Sequence, residues 1–416
     1  MGSVQGSEQR SWRDDTGGVS KFEIKDFSDN HNWTKGVITI KGHKKSQEVN
    51  FKIKTDKYVI LEESMTLNKD EVRTFNFNVG GRVKIHVSGN VKKRKLFYGA
   101  GAIVNITLNY NDLAVDNWMQ DTLSTIGNKT LRDICIPGSH DSGMSIKEAG
   151  TVGAREGNVI TQFYNIGKQL EFGTRYFDIR PVITGGGYRT GHYSSTDGTS
   201  LGANGESIDD IINEINNFTK NRKELIILNL SHACNTDKGF GSYSSFTKDE
   251  WIRLFDKLKK INNRYVSNEI DLTKIPLNKM ISEKSAVIIV VESGEASSLI
   301  ENYKNEGFYT YSAVNAYNRY SDSNDVNVMI KDQLSKMKEK SNSRYFLLSW
   351  TLTQSKSQAV LAKPSILSLA IKANNCLESK LMPDVNKTCF PNIIYTDNII
   401  GNEVAILSMR INEMVK

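Results

Sequence analysis

Leu131-Arg132-Asp133-Ile134-Cys135-Ile136-Pro137-Gly138-Ser139-His140-Asp141-Ser142-Gly143-Met144 is an apolar run that breaks at Pro137-Gly138 and then delivers a histidine and a carboxylate. A strand that ends by presenting His and Asp on a Gly-rich turn is one way to build a catalytic site. It is equally an ordinary structural corner, so the choice rests on what later segments supply. Downstream, apolar strands alternate with helical patterns. The strand pattern occupies 133–137, 174–179, 225–230, 286–291, 309–313, 345–348 and 392–396. Helical spacing fills 166–171, 207–219, 248–261, 296–305, 326–340 and 364–375, and an earlier helix spans 118–126 with Gly127 as its stop. Strands this apolar, alternating with helices, predict an α/β fold with a parallel sheet. Seven strands fit a barrel, and an irregular one. A doubly wound open sheet is the alternative, but no G-x-G-x-x-G turn accompanies it.

Upstream of residue 116 the pattern changes to period two. Strands are predicted over 37–40, 49–53, 58–61, 72–79, 83–87 and 103–108, with hairpin turns at Gly80-Gly81 and Ser88-Gly89-Asn90. Short strands without a helix predict a small all-β sandwich. The expected organisation is a flexible arm over 1–18, a β-sandwich accessory domain over 19–115 and a catalytic barrel over 116–416. His31, His43 and His86 are scattered through the sandwich and form no constellation.

With 416 residues the chain exceeds one ordinary core. Its formal charge of +7 is uneven, since residues 1–115 hold 19 Lys+Arg against 13 Asp+Glu. Basic clusters stand at Lys41/His43/Lys44/Lys45 and Lys92/Lys93/Arg94/Lys95. They form either a solvated surface or a contact for an anionic surface such as phospholipid. No nucleic-acid reader motif accompanies them. No run reaches the roughly 18 apolar residues of a membrane span. The first ten residues carry no signal core, which fits a cytosolic protein or a mature form with its signal removed. Of the four cysteines, Cys135 lies in an apolar run and Cys376 and Cys389 bracket a polar loop. The latter two are either a short-loop disulfide or two unrelated thiols.

Polar residues gather where a barrel wants them, at the C-terminal ends of strands. The first strand ends at His140-Asp141. The second carries Asp178 and Arg180, two apart and so on one side. Gly191-His192 follows, and the last strand ends at Tyr395-Thr396-Asp397. One imidazole can take a proton from an attacking hydroxyl while the other protonates a leaving oxygen. A carboxylate beside each fixes its tautomer, and Arg180 can grip a phosphoryl group with two parallel hydrogen bonds. Such a set can cleave a phosphodiester without a metal.

Ile136-Pro-Gly-Ser-His-Asp-Ser142, Arg175-Tyr-Phe-Asp-Ile-Arg180 and Gly191-His192, in this order, resemble the catalytic X region of phosphatidylinositol-specific phospholipase C in its bacterial, calcium-independent form. The resemblance covers roughly residues 118–410. It implies a distorted TIM barrel, a secreted or extracellular monomer acting transiently at a phospholipid surface, and neither metal nor cofactor. By its pattern His140 is the general base, supported by Asp397, and His192 the general acid, supported by Asp141. Arg180 replaces the calcium of the animal enzymes, with Asp178 beside it. The implied reaction is attack of the inositol 2-hydroxyl on phosphorus, giving diacylglycerol and a cyclic phosphate that water then opens. The headgroup side departs from the pattern. Ser231-His232 stands where the family offers lysine, Glu292 where it offers arginine, and Asn318 where it offers aspartate, while Tyr320 agrees with a stacking tyrosine. The alternatives are a phosphodiesterase acting on another lipid or glycan headgroup, or a lipid-binding protein without turnover. Trp350, in Leu348-Ser-Trp-Thr-Leu-Thr-Gln354, is either a rim aromatic or a packed core residue.

Overall fold

The computed structural model describes residues 5–14, 19–93, 100–196, 199–239 and 243–415. The chain forms two compact units, Met1–Leu113 with Ile400–Glu403, and Ala114–Ile399 with Val404–Lys416. The first holds eight strands: β1 (Gln5–Arg13), β2 (Ser20–Phe27), β3 (Trp33–Gly42), β4 (Ser46–Lys54), β5 (Val59–Asn68), β6 (Val72–Gly81), β7 (Ile85–Lys93) and β8 (Ala102–Asn111). They make two antiparallel four-stranded sheets, ordered β1-β8-β3-β6 and β2-β7-β4-β5. Alternation puts Ile38 and Ile40 of one sheet, and Phe51 and Ile53 of the other, in the core. Across the gap Phe51 meets Phe75 edge-on with ring centroids 5.4 Å apart.

Two expectations fail in this unit. Residues 5–13 are not a loose arm but strand β1, paired along its length with β8. Ser88-Gly89-Asn90 is not a turn but the middle of β7. Glycine is needed there for close approach: a Cβ on Gly89 would lie 2.5 Å from the Phe22 ring. The rest of the arm, 1–4 and 15–18, and Arg94 and Lys95 of the second basic cluster lie outside the described residues.

The second unit is built on eight parallel strands, here counted in chain order: Ile136–Ser139, Tyr176–Ile179, Leu225–Leu230, Ala286–Val291, Phe308–Thr310, Tyr317–Asn318, Phe346–Trp350 and Ile393–Thr396. The first to fifth strands pair in sequence order, as do the sixth to eighth, and the eighth pairs with the first, which gives the cyclic order of a barrel. Among the described residues no pairing joins the fifth strand to the sixth, so the barrel has an open seam. The third and fourth strands, Leu-Ile-Ile-Leu-Asn-Leu and Ala-Val-Ile-Ile-Val-Val, are buried at every residue because both faces are covered. Helices start where caps say they should. Ser207 accepts from the Asp210 N–H to open Ile208–Thr219, and Thr247 with Glu250 forms a capping box for Lys248–Leu258.

The shorter strands are displaced from their predicted places. Residues 131–133 are a single 3-10 turn capped by Thr130, and the strand follows at Ile136–Ser139. Residues 311–313 are another 3-10 turn, and the two-residue sixth strand was not foreseen. Nor was the second sheet of this unit, made from Pro181–Thr184, Gly187–Thr196, Thr199–Ser207 and Cys234–Asn235. Trp350 is a core residue, fully buried with its indole N–H on Ala373 O at 2.8 Å. All four cysteines are free thiols.

Candidate active site

The His140-Asp141 turn hangs between its two neighbouring strands. The His140 N–H donates to Thr396 O of the last strand at 3.0 Å, and the Ser142 N–H to Asp178 O of the second at 2.8 Å. Asp141 sits at φ +40°, a left-handed conformation that a non-glycine residue holds only when its surroundings fix it. The fixing is visible. Thr161 Oγ1 donates to Asp141 O at 2.8 Å, and Gln162 Nε2 donates to His140 O at 2.8 Å and Thr396 O at 3.2 Å.

From this turn the side chains make one connected cluster. His140 Nδ1 lies 2.7 Å from Asp397 Oδ1, and its Nε2 lies 2.8 Å from Arg180 Nη2. A guanidinium only donates, so Nε2 is the acceptor and Nδ1 carries the proton toward Asp397. His192 Nδ1 is 2.6 Å from Asp141 Oδ2. Arg180 donates through Nε to Asp178 Oδ2 at 3.0 Å and through Nη1 to Asp141 Oδ2 at 3.4 Å. Asp178 is held further by the Asp141 N–H at 3.1 Å, the Ser231 hydroxyl at 2.5 Å and the Tyr395 hydroxyl at 2.8 Å. The three carboxylates are buried, whereas the two imidazoles are a fifth to a quarter exposed.

Electrostatics follow from these contacts. Burial works against the charged form of His140, but the Asp397 carboxylate outweighs it and raises the imidazole above its ordinary value. Burial would raise Asp178, yet Arg180 and His140 hold it far below the usual carboxylate range. Arg180 likewise stays charged against burial because Asp141 and Asp178 flank it. The guanidinium thus uses both carboxylates that a cation would need. Among the described residues no group of three or more His, Cys, Asp or Glu side chains is arranged to hold a metal ion.

All six residues expected to do chemistry meet in this cluster. The four expected on the headgroup side are more dispersed. Ser231 is buried and its hydroxyl is committed to Asp178. Glu292 follows the fourth strand and accepts from Asn229 Nδ2 at 3.2 Å. Asn318 ends the sixth strand and is exposed, and Tyr320, two residues on, is 59% exposed. Sequence reasoning gave no role to Tyr395 or Gln162, and named His232 only beside Ser231 at the place of the family's lysine. Tyr395 stands two residues before Asp397, a spacing that puts both on one side of the last strand and was available as a signal.

No family model matches the chain, and no curated protein matches it. Solved structures do. This is an α/β barrel of the kind seen in phosphatidylinositol-specific phospholipase C from Staphylococcus aureus, which it resembles at a TM-score of 0.51 and 16% identity, over 71% of this chain and 97% of that one. Phosphatidylinositol-specific phospholipase C from Listeria monocytogenes is similar at a TM-score of 0.50 and 16% identity, over 73% of this chain and 100% of that one. At such identity the likeness establishes the fold alone.

Proposed function

We propose that this chain is a metal-independent phosphodiesterase, a lyase of the phosphatidylinositol-specific phospholipase C type that releases diacylglycerol from a phosphoinositide-type lipid. The supporting observation is the pair of carboxylate-backed imidazoles around one guanidinium. Asp397 and Asp141 each hold a ring by Nδ1, so each ring would meet the substrate through Nε2, that of His140 being bonded to Arg180 in this structure. In this scheme Arg180 moves its Nη2 donor from His140 to a phosphoryl oxygen and stabilises the charge that develops there. His140 Nε2, now free, takes the proton of the inositol 2-hydroxyl as that oxygen bonds to phosphorus. His192 gives its proton to the departing glycerol oxygen, and the products are diacylglycerol and the cyclic phosphate. With the roles reversed, water opens the ring.

The barrel mouth supports a bilayer as the substrate surface. The loops after the first and seventh strands are joined by Asn158 Nδ2 donating to Ala359 O at 2.8 Å. They expose Val152, Val360 and Leu361 at 97%, 74% and 62%, with Lys356 and Lys363 nearby. Apolar tips beside lysines suit transient contact with phospholipid, here by an extracellular enzyme acting as a monomer. Among the described residues no helix is long and apolar enough to cross a membrane.

The decisive experiment incubates the protein with phosphatidylinositol vesicles in excess chelator and follows cyclic inositol phosphate by phosphorus NMR. Product formation with chelator present is expected. Turnover only with added calcium would overturn the role of Arg180. Absence of product from any inositol lipid would favour a different phosphodiester with a neighbouring hydroxyl, a reading that the altered headgroup residues Ser231, Glu292 and Asn318 already give some footing.

A further inference from the structure

Asp178 anchors Arg180, and its two carboxylate oxygens are held unequally. Oδ2 accepts from Arg180 Nε, from the Asp141 N–H and from the Tyr395 hydroxyl. Among the described residues Oδ1 accepts from one group, the Ser231 hydroxyl at 2.5 Å. A serine hydroxyl has one proton and rotates to suit its neighbours, so a second contact is needed to aim it. The rest of Ser231 is fixed, since the residue is 2% exposed and its N–H donates to Ile179 O at 2.9 Å. The second contact is His232, whose Nδ1 lies 2.8 Å from Ser231 Oγ.

Counting protons gives the direction of each bond. Arg180 and His140 hold Asp178 far below the usual carboxylate range against the pull of burial, so it is ionised and only accepts. Ser231 therefore gives its proton to Asp178, and its Oγ accepts from His232. That requires the His232 proton on Nδ1. With the other tautomer Nδ1 would be an acceptor and would compete with Asp178 for the same hydroxyl proton. Successive side chains of an extended chain point apart, yet these two neighbours touch. The left-handed turn at His232, with φ +50°, brings the ring back to the hydroxyl, and a histidine holds that conformation only under constraint. Desolvation and the nearby Arg180 lower the pKa of the ring against the pull of Asp178 and Asp141, so at neutral pH it carries one proton.

We propose that His232 is a positioning residue of this site: through Ser231 it aims the donor that holds Asp178 Oδ1, and through Asp178 it keeps Arg180 directed at the phosphoryl group. The proposal rests on the phosphodiesterase reading for what Arg180 grips. It adds a third imidazole, one that neither takes nor gives a proton in the reaction. Histidine nitrogen NMR of the whole resting protein should show His232 as the Nδ1–H tautomer, and Ser231→Ala should remove that preference. The second measurement is cleavage of a soluble inositol phosphodiester in chelator. His232→Ala retains the Cβ and so the same backbone strain. It should lower kcat about 10- to 100-fold, with KM within about threefold of the parent chain. His232→Asn keeps an N–H donor on a side chain that suits the left-handed region, and should restore kcat to within about threefold. Because the two residues act in series, His232→Ala combined with Ser231→Ala should be slower than Ser231→Ala alone by no more than about twofold. An Nε2–H ring in the resting protein, an unchanged kcat in His232→Ala, or defects that multiply in the double variant would overturn the proposal while leaving the phosphodiesterase reading in place. If the parent chain cleaves no inositol phosphodiester, that reading falls and the tautomer alone decides. An Nδ1–H ring that depends on Ser231 then keeps the hold on Asp178, and its absence ends both.

Discussion

In the proposed reaction Asp397 sets the pH at which His140 can act as a base. Its charge raises the imidazole against the opposing pull of burial, so the base is deprotonated only above the ordinary histidine range. The acid limb of kcat/KM, which climbs as His140 loses its proton, should therefore lie above about 6.5. Asp397→Asn keeps a partner for Nδ1 but removes the charge. Its acid limb should move to lower pH while the plateau rate falls, and a pH profile measured on a soluble phosphodiester checks both. His140→Ala or His192→Ala should each lower kcat by about 10²–10⁴-fold, with KM much less affected. The six residues of the candidate site were legible because each ends a strand or sits two positions from another polar residue. Gln162 and His232 were not, since their roles exist only once particular strands become neighbours: Gln162 spans the ends of the first and last strands, and His232 reaches Asp178 through Ser231.

Arg175 and Arg180 lie on one short stretch yet do opposite work, because a four-residue strand separates them. Arg180 reaches the C-terminal mouth. Arg175 is fully buried at the other end, with Nε on Glu224 Oε2 at 2.8 Å, Nη1 on Leu170 O and Thr174 O, and Nη2 on Asp116 O. Glu224 in turn accepts the N–H groups of Met119 and Gln120. Desolvation pushes the Glu224 carboxyl up and the Arg175 guanidinium down, so the pair persists by virtue of its full set of hydrogen bonds. Arg175→Ala would strand a buried carboxylate and should cost about 3–5 kcal/mol in urea denaturation. Part of the motif that suggests catalysis is thus architecture. The long strands were legible for a related reason: six apolar residues buried on both faces read the same in sequence and structure. The sheet that carries His192 was not, because Gly, Ser and Thr dominate Gly187–Thr196 and Thr199–Ser207 and leave no hydrophobic period to read. At the rim, Val360→Asp with Leu361→Asp should weaken binding to vesicles while leaving cleavage of a monomeric substrate intact, which a sedimentation assay beside a soluble-substrate assay would show.

Over the whole chain the charge is lopsided: nearly all of the +7 resides in residues 1–115. Charge that far from balance on a domain without a catalytic cluster is an argument about association, not about fold. Within β7 the pair Lys92 and Lys93 is exposed, and the described residues give neither an ion pair. By contrast Lys84, on the segment leading into the same strand, is bound to Asp26 at 3.0 Å, and Lys41 to Asp70 at 3.0 Å. Lysines already paired have little left for a lipid headgroup, whereas Lys92 and Lys93 are among those free to serve an anionic surface. Each lysine near such a surface is worth about 1 kcal/mol. Lys92→Glu with Lys93→Glu should then weaken binding to vesicles rich in anionic lipid by about 30-fold or more. Binding to vesicles of neutral lipid should not change. Salt near 1 M, where the screening length falls to about 3 Å, should abolish the difference between the variant and the parent chain. If the two proteins bind anionic vesicles equally at low salt, the basic face is solvated surface, and membrane contact belongs to the barrel rim alone.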